Sequence, residues 1–155
     1  PPSSTSFKLN TDDFAQLSSG HDGICGVICD SSGTWIMGFA SYHFSHGSME
    51  SELFALYHGL KLSFIHGYKP IEVKVDAQTI INFLPISHPL YTNIINDCRF
   101  LLAQLDDPAV LYTYREQNQV ADLLAKFGSQ LESSTGLIVY TQPPRFVTTT
   151  LEVDR

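Results

Sequence analysis

Apolar and polar residues alternate with a period of two along residues 7–11 and again along 71–75, a pattern typical of strands with one buried face. Three further strands are predicted at 24–29, 35–42 and 109–114. The turn-forming residues at 30–33 connect the second strand to the third, and so short a connection favours an antiparallel hairpin.

Apolar residues recur every three or four positions in other stretches, and this spacing predicts amphipathic helices. The first and longest helix begins at about Ser48, which together with Ser51 and Glu52 offers an N-terminal cap, and it ends before Gly67. Three more helices are expected, a short one that ends near Leu84, one at 94–105 and one from 120 to about Gly128.

The order of these elements predicts an α/β fold in which helices flank a mixed sheet. A length of 155 residues suits a single domain. We expect 1–6 to be a linker end, 7–132 to form the domain, and 133–155 to be a tail that packs on the domain or frays from it. Loops are predicted at 15–22 and 43–48.

The composition indicates a folded globule, because 43% of the residues are hydrophobic and only 16% are charged. No apolar run is long enough to span a bilayer, so no membrane partner is expected. The cysteines, Cys25, Cys29 and Cys98, are too few and odd in number for a disulfide framework. We expect them to pack in the core, and a reducing, intracellular compartment fits them best.

Four acidic residues occupy places from which a side chain can reach a shared cleft. Asp12 and Asp76 end strands, and Glu52 and Asp122 lie in the first turns of helices. Carboxylate oxygens are the ligands that Mg²⁺ prefers, and a pair of such ions can drive phosphoryl transfer. The plain alternative stays open, since acids also favour helix starts through the helix dipole and strand ends as turn formers.

The sequence around these acids resembles the RNase H family, and within it the plant RNase H-like domains related to retroelement reverse transcriptases. The motifs, in chain order, are Phe-Lys-Leu-Asn-Thr-Asp at 7–12, Met-Glu-Ser-Glu-Leu-Phe-Ala-Leu-Tyr-His-Gly-Leu at 49–60, Val-Lys-Val-Asp-Ala-Gln at 73–78 and Tyr-Arg-Glu-Gln-Asn-Gln-Val-Ala-Asp-Leu-Leu-Ala at 114–125. The resemblance extends from Phe7 to about Gly128, and it is the order of the four motifs that makes it specific.

The resemblance implies a five-stranded mixed sheet, with three antiparallel N-terminal strands and two further strands. It implies a monomeric endonuclease that hydrolyses the RNA strand of RNA–DNA hybrids with two Mg²⁺ ions, for which Mn²⁺ can substitute. Asp12 and Asp76 match the central metal ligands of the family. Glu52 matches the residue that orients one metal and its water, and Asp122 matches the residue that completes the second site.

Substrate contacts are expected from Asp13, Ser48, Gln78, Arg115 and Asn118. The family commonly has Gly where this chain has Asp13, which adds bulk and negative charge beside the expected phosphate path. A solvent-facing turn residue is an equally good interpretation of Asp13, and a structural salt bridge is the simpler interpretation of Arg115.

The formal net charge of −7 argues against strong intrinsic affinity for nucleic acid. Bound cations would offset part of this negative charge, and an adjacent domain or partner would have to supply the remaining affinity for the substrate. Two alternatives to the hybrid-specific ribonuclease stay open. One is a catalytically weak or inactive module that binds nucleic acid or protein. The other is a 3′–5′ exonuclease, which the absence of an Asp-x-Glu pair in the first strand disfavours.

Overall fold

The computed structural model describes residues 6–15, 20–114 and 119–148. The strands are β1 (Phe7–Phe14), β2 (His21–Asp30), β3 (Trp35–Phe44), β4 (Ile71–Val75), β5 (Val110–Tyr112) and β6 (Ile138–Tyr140). The helices are α1 (Ser48–His66), α2 (Gln78–Phe83), α3 (Thr92–Gln104) and α4 (Gln119–Ser129). None of the helices in these ranges is long and apolar enough to cross a membrane.

The strands form one mixed sheet in the order β5-β4-β1-β2-β3-β6. β1, β2 and β3 pair antiparallel, whereas β4 pairs parallel with both β1 and β5. The mixed sheet flanked by helices is as predicted, but the expected number of five strands is wrong. The sixth strand, β6, comes from the tail and pairs antiparallel with β3. Three residues are too few to show an alternating pattern in the sequence.

The tail is packed against the sheet and α4 over the described residues. Trp35 donates its ring N–H to the carbonyl of Tyr140 at 3.2 Å, which ties β6 to β3 through a side chain as well as through the backbone. Val147 is fully buried, and the ring of Phe146 lies 4.8 Å from that of Phe127 in α4. These contacts add a second anchor beyond the backbone pairing of β6.

Several predicted element boundaries are wrong, and each error has a structural cause. β1 continues through Asp12 and Asp13 to Phe14, because both aspartates pair with β2, so Asp12 lies inside the strand rather than at its end. The predicted loops at 15–22 and 43–48 are correspondingly shorter, since β2 begins at His21 and β3 continues to Phe44.

The predicted serine cap of α1 is also wrong. Gly47 is the cap residue and no side chain caps the helix, so Ser48 is the first helical residue. The first acidic residue of α1 is Glu50, and Glu52 lies in the second turn. The hydroxyl of Ser51 turns away from the helix end and donates to Asp22 instead.

The core lies on both faces of the sheet. On one face, α1, α2 and α3 cover a cluster that includes Leu9, Ile28, Leu53, Leu56, Val73 and Ile95. On the other face, α4 covers a smaller cluster that includes Cys25, Val27, Trp35, Ala40 and Leu124. Val27 and Ile28 fall in different clusters because neighbouring residues of a strand point to opposite faces. All three cysteines are free thiols, and Cys25 and Cys98 are buried.

Two glycines let the backbone of α4 approach the sheet closely. A Cβ atom added to Gly23 in β2 would lie 1.8 Å from the carbonyl oxygen of Ala125, and one added to Gly128 would lie 2.7 Å from the carbonyl oxygen of Ser41. These are backbone atoms that cannot swing aside. The close packing of α4 on the sheet therefore requires that both positions carry no side chain.

We expect Gly23→Ala to destabilise the protein by about 3 kcal/mol, because the new methyl group must push α4 away from β2. Gly47→Ala is the control, since its Cβ would meet only the Tyr91 hydroxyl at 3.9 Å. The cost at this helix cap should stay below about 1 kcal/mol. Urea unfolding followed by circular dichroism measures both, and equal losses in the two variants would contradict the close approach of α4.

Candidate functional site

A polar cleft of about 490 Å³ opens at the end of the sheet where β1 and β4 reach their C-terminal residues. Its walls come from four elements and the segments next to them, and they include Asp13, Ser48, Met49, Glu52, Asp76 and Asp122. Because β1 and β4 pair in parallel, with Thr11 opposite Val75, the residues that follow them, Asp12 and Asp76, lie side by side. The topology of the sheet thus brings together two acids that are distant in the sequence.

Asp12 is the most deeply buried of the acids, with 2% of its surface exposed. Its Oδ1 accepts a hydrogen bond of 2.8 Å from the backbone N–H of Asp13. Burial and the neighbouring charge of Asp76 raise the pKa of Asp12 to about 8, and the charges of Asp13 and Asp122 act in the same direction. Only the backbone N–H opposes them. The metal-free cleft therefore favours a protonated Asp12 at neutral pH.

Glu52 reaches the same place from α1 and is 5% exposed. Burial and a hydrogen bond with the Asp13 side chain hold the pKa of Glu52 well above its usual range, and the charges of Asp13, Asp12 and Asp76 add to the effect. Its Oε2 is buried and has no hydrogen-bond partner among the described residues. A buried acceptor without a donor is costly, so this oxygen marks a position that a cation would stabilise.

The start of α1 is held in place by a buried polar contact. Ser51 donates to Oδ2 of Asp22 in β2 at 2.7 Å, and both residues are buried. Because Ser51 immediately precedes Glu52, this bond fixes the backbone that carries the acid. No local pattern predicts this contact, since its two partners are 29 positions apart.

Asp122 lies in the first turn of α4 and lines the cleft opposite α1. The neighbouring carbonyl of Ala121 accepts a 2.8 Å hydrogen bond from the thiol of Cys25. Cys25 pairs directly with Asp12 across the β1–β2 ladder. One buried thiol therefore connects the strand that carries Asp12 to the helix that carries Asp122, a positioning role that the core-packing interpretation of Cys25 missed.

The residues present fit a divalent cation. One ligand atom from each of Asp12, Asp13 and Glu52 lies within 4.8 Å of the other two. The donors are all carboxylate oxygens, which hard ions such as Mg²⁺ and Mn²⁺ prefer. Asp13, whose contact with the substrate stays a prediction, thus lies among the side chains that could hold a metal ion. The other two acids, Asp76 and Asp122, face the same cleft.

The other candidate substrate contacts differ in position. Ser48 lines the cleft at the start of α1. Gln78 is exposed at the start of α2, where its side-chain amide donates to Asn82 at 3.3 Å, and the cleft wall beside it is formed by Ala77 and Thr79. Arg115 and Asn118 lie outside the described residues.

The two histidines that shortly precede α1, His43 and His46, are not among the residues that line the cleft. His43 pairs with Glu50 at 2.9 Å, with its side chain 17% exposed, and it packs against the ring of Phe54. His46 is exposed.

The chain belongs to the reverse transcriptase-like family, whose profile matches residues 10–128. It is also 30% identical over 128 residues to the Arabidopsis thaliana protein called "Putative ribonuclease H protein". That match covers 80% of this chain but only 20% of the Arabidopsis protein, so the chain spans about a fifth of its relative's length. The resemblance to plant RNase H-like domains is thereby confirmed.

Solved structures show the same fold. RNase H1 from the archaeon Halobacterium salinarum superposes with a TM-score of 0.72 at 20% identity, covering 79% of this chain and 96% of that one. The compost-derived LC11-RNase H1 in complex with an RNA/DNA hybrid gives 0.71 at 21% identity, with 79% and 95% covered. The foamy viral protease-reverse transcriptase, also in complex with an RNA/DNA hybrid, gives 0.66 at 14% identity, with 84% and 21% covered. The fold is therefore that of RNase H.

The raised pKa of Asp12 predicts how stability depends on pH when metal is absent. The folded state keeps a proton up to about pH 8, whereas the unfolded chain releases it near its ordinary value of 3.8, so raising the pH across this interval destabilises the fold. In EDTA we expect the free energy of unfolding to fall by up to about 2 kcal/mol between about pH 6.5 and 8.5.

Asp12→Asn should remove most of this decrease, because the amide does not titrate. Asp106→Asn is the control, since its carboxylate is on the surface, 3.8 Å from Lys69, with the side chain 81% exposed. Chemical unfolding at the two pH values measures the difference for each protein. An Asp12→Asn variant with the pH dependence of the parent would show that the carboxylate does not hold the proton.

Proposed function

We propose that this domain is a metal-dependent endonuclease that hydrolyses the RNA strand of RNA–DNA hybrids. The observation that carries the proposal is the meeting of Asp12, Glu52, Asp76 and Asp122 at one cleft of an RNase H fold. These side chains come from four separate elements, and structural need alone does not explain why four acids should share a partly buried site, because their charges repel one another.

Two divalent cations bound there would activate a water molecule and stabilise the oxygen that leaves the cleaved phosphodiester. Asp12, within β1, and Asp76, directly after β4, are proposed as the central ligands. Glu52 would orient the attacking water from α1, and Asp122 would complete the second site from α4. The bonds of Ser51 and Cys25 would keep these helices from moving apart under the repulsion of the acids.

Double-stranded nucleic acid is the proposed partner. Two structural neighbours were solved with RNA/DNA hybrids, and another foamy viral structure was solved with dsDNA. Recognition would use duplex shape and 2′-hydroxyl groups, with Ser48, Gln78, Arg115 and Asn118 as contacts. The net charge of −7 predicts weak binding by the isolated domain, which we take to be a monomer. Capture of substrate would then depend on a neighbouring domain or partner.

A weak or inactive binding module is the second candidate, and Asp13 is the observation that favours it. This side chain lines the cleft, and its carboxylate lies beside those of Asp12 and Glu52. Without bound cations, its charge would repel an approaching phosphate. The nuclease therefore requires that bound metal neutralises the acids when the substrate arrives, whereas the binding module does not.

Cleavage of a hybrid labelled on its RNA strand tests the proposal. With Mg²⁺ or Mn²⁺ present we expect RNA fragments, no cleavage of the DNA strand, and no reaction in EDTA. Asp76→Asn and Asp122→Asn should each slow cleavage by at least about 100-fold, since each removes a ligand charge from the reacting centre. Asp106→Asn, an exposed acid outside the cleft, should cleave like the parent.

Two results would contradict the proposal. The first is a parent protein that leaves the hybrid intact at high enzyme concentration with either metal. The second is an Asp76→Asn variant as active as the parent, which would place the reaction elsewhere. Fluorescence anisotropy with the same hybrid then separates the two candidates, because the binding module would retain affinity for the duplex without cutting it.

A further inference from the structure

We propose that Asp13 is itself a metal ligand, which forms with Asp12 and Glu52 a three-carboxylate site that holds one divalent cation in the absence of nucleic acid. The proposal deepens the proposed function, because it concerns the same cleft. It assigns to Asp13 a role beyond the four acids that match the family's motifs, at a position where the family commonly has a residue without a side chain.

The geometry of β1 at this point is unusual for a strand. Side chains of consecutive strand residues normally point to opposite faces, so one member of an Asp-Asp pair should point away from the other. Here a carboxylate oxygen of Asp12 and one of Asp13 lie within 4.8 Å of each other and of one from Glu52. The Asp12 side chain bends back towards its neighbour, and its Oδ1 accepts the Asp13 backbone N–H.

The structure does not support Asp13 as a turn residue. It lies inside β1 and pairs with Ile24 of β2, so its backbone belongs to the sheet ladder. Its side chain is partly buried and lines the cleft rather than projecting into open solvent. A turn former would have no reason to meet Glu52, which lies 39 positions later in the chain.

A second observation points to a ligand between these side chains. Glu52 is 95% buried, as only 5% of its surface is exposed, yet its Oε2 finds no donor among the described residues. The cleft offers it carboxylates, which are acceptors when ionised. A hard cation would satisfy this oxygen and at the same time neutralise the repulsion between Asp12, Asp13 and Glu52. The site therefore has both the donors and the unmet need of a cation site.

Titration of Mn²⁺ into the metal-free domain, without nucleic acid, tests the proposal. Isothermal calorimetry and the electron paramagnetic resonance signal of free Mn²⁺ give the affinity of the tighter site. We expect Asp13→Asn and Asp13→Gly to weaken it by about tenfold or more, because each removes a ligand and a charge. Asp106→Asn should leave the affinity unchanged, because its carboxylate is exposed on the surface beside Lys69 and does not line the cleft.

Thermal unfolding provides an independent readout and checks that the variants fold. In EDTA, Asp13→Asn should be at least as stable as the parent, since it removes an acidic group from the cluster while its amide can still donate a hydrogen bond to Glu52. The rise in Tm on adding Mn²⁺ should shrink in Asp13→Asn and persist in Asp106→Asn.

The proposal is overturned if Asp13→Asn binds Mn²⁺ as tightly as the parent, or if the parent binds no Mn²⁺ at millimolar concentration. Its failure is distinguishable from that of the proposed function. If the parent binds Mn²⁺ through Asp13 but leaves the hybrid intact, the role of Asp13 as a ligand is sustained and the nuclease function is rejected. If the parent cleaves the hybrid but Asp13→Asn binds Mn²⁺ as tightly as the parent, the nuclease is sustained and Asp13 is rejected as a ligand.

Discussion

The parallel pairing of β1 with β4 is the constraint on which the rest of the site depends. It sets Thr11 opposite Val75, so that Asp12 and Asp76 lie together towards the C-terminal ends of β1 and β4. If both carboxylates were ionised they would repel each other strongly, and burial together with this repulsion raises the pKa of Asp12. The other acids of the cleft add to this repulsion. Contacts of α1 and α4 with the sheet resist the separation that the repulsion would cause.

The features that resist it are buried and specific. The Ser51–Asp22 bond fixes α1, the Cys25–Ala121 bond fixes α4, and the bare backbone at Gly23 lets α4 lie close enough to contribute its acid. None of these contacts touches the centre of the cleft. The cost of gathering the acids is therefore local, whereas the contacts that restrain α1 and α4 lie on both faces of the sheet.

The sequence was sufficient for the order of elements and for the convergence of the four acids, because each acid lies next to a segment with clear periodicity. It was insufficient where distant pairing overrides a local pattern. Asp12 and Asp13 look like the end of a strand, yet the ladder to β2 continues through both. The bond between Cys25 and Ala121 joins positions 96 apart, and the three residues of β6 are too few to show a period.

β6 has a further consequence for the molecule. By pairing with residues 38–40, it covers the middle of β3, a ten-residue strand that would otherwise present free backbone donors and acceptors there. Such an edge can recruit strands from other copies of the chain and lead to aggregation. A shortened domain that stops after α4 would also lose the burial of Val147. The C-terminal segment thus reduces the free edge of a sheet whose acidic cleft lies at the far ends of β1 and β4.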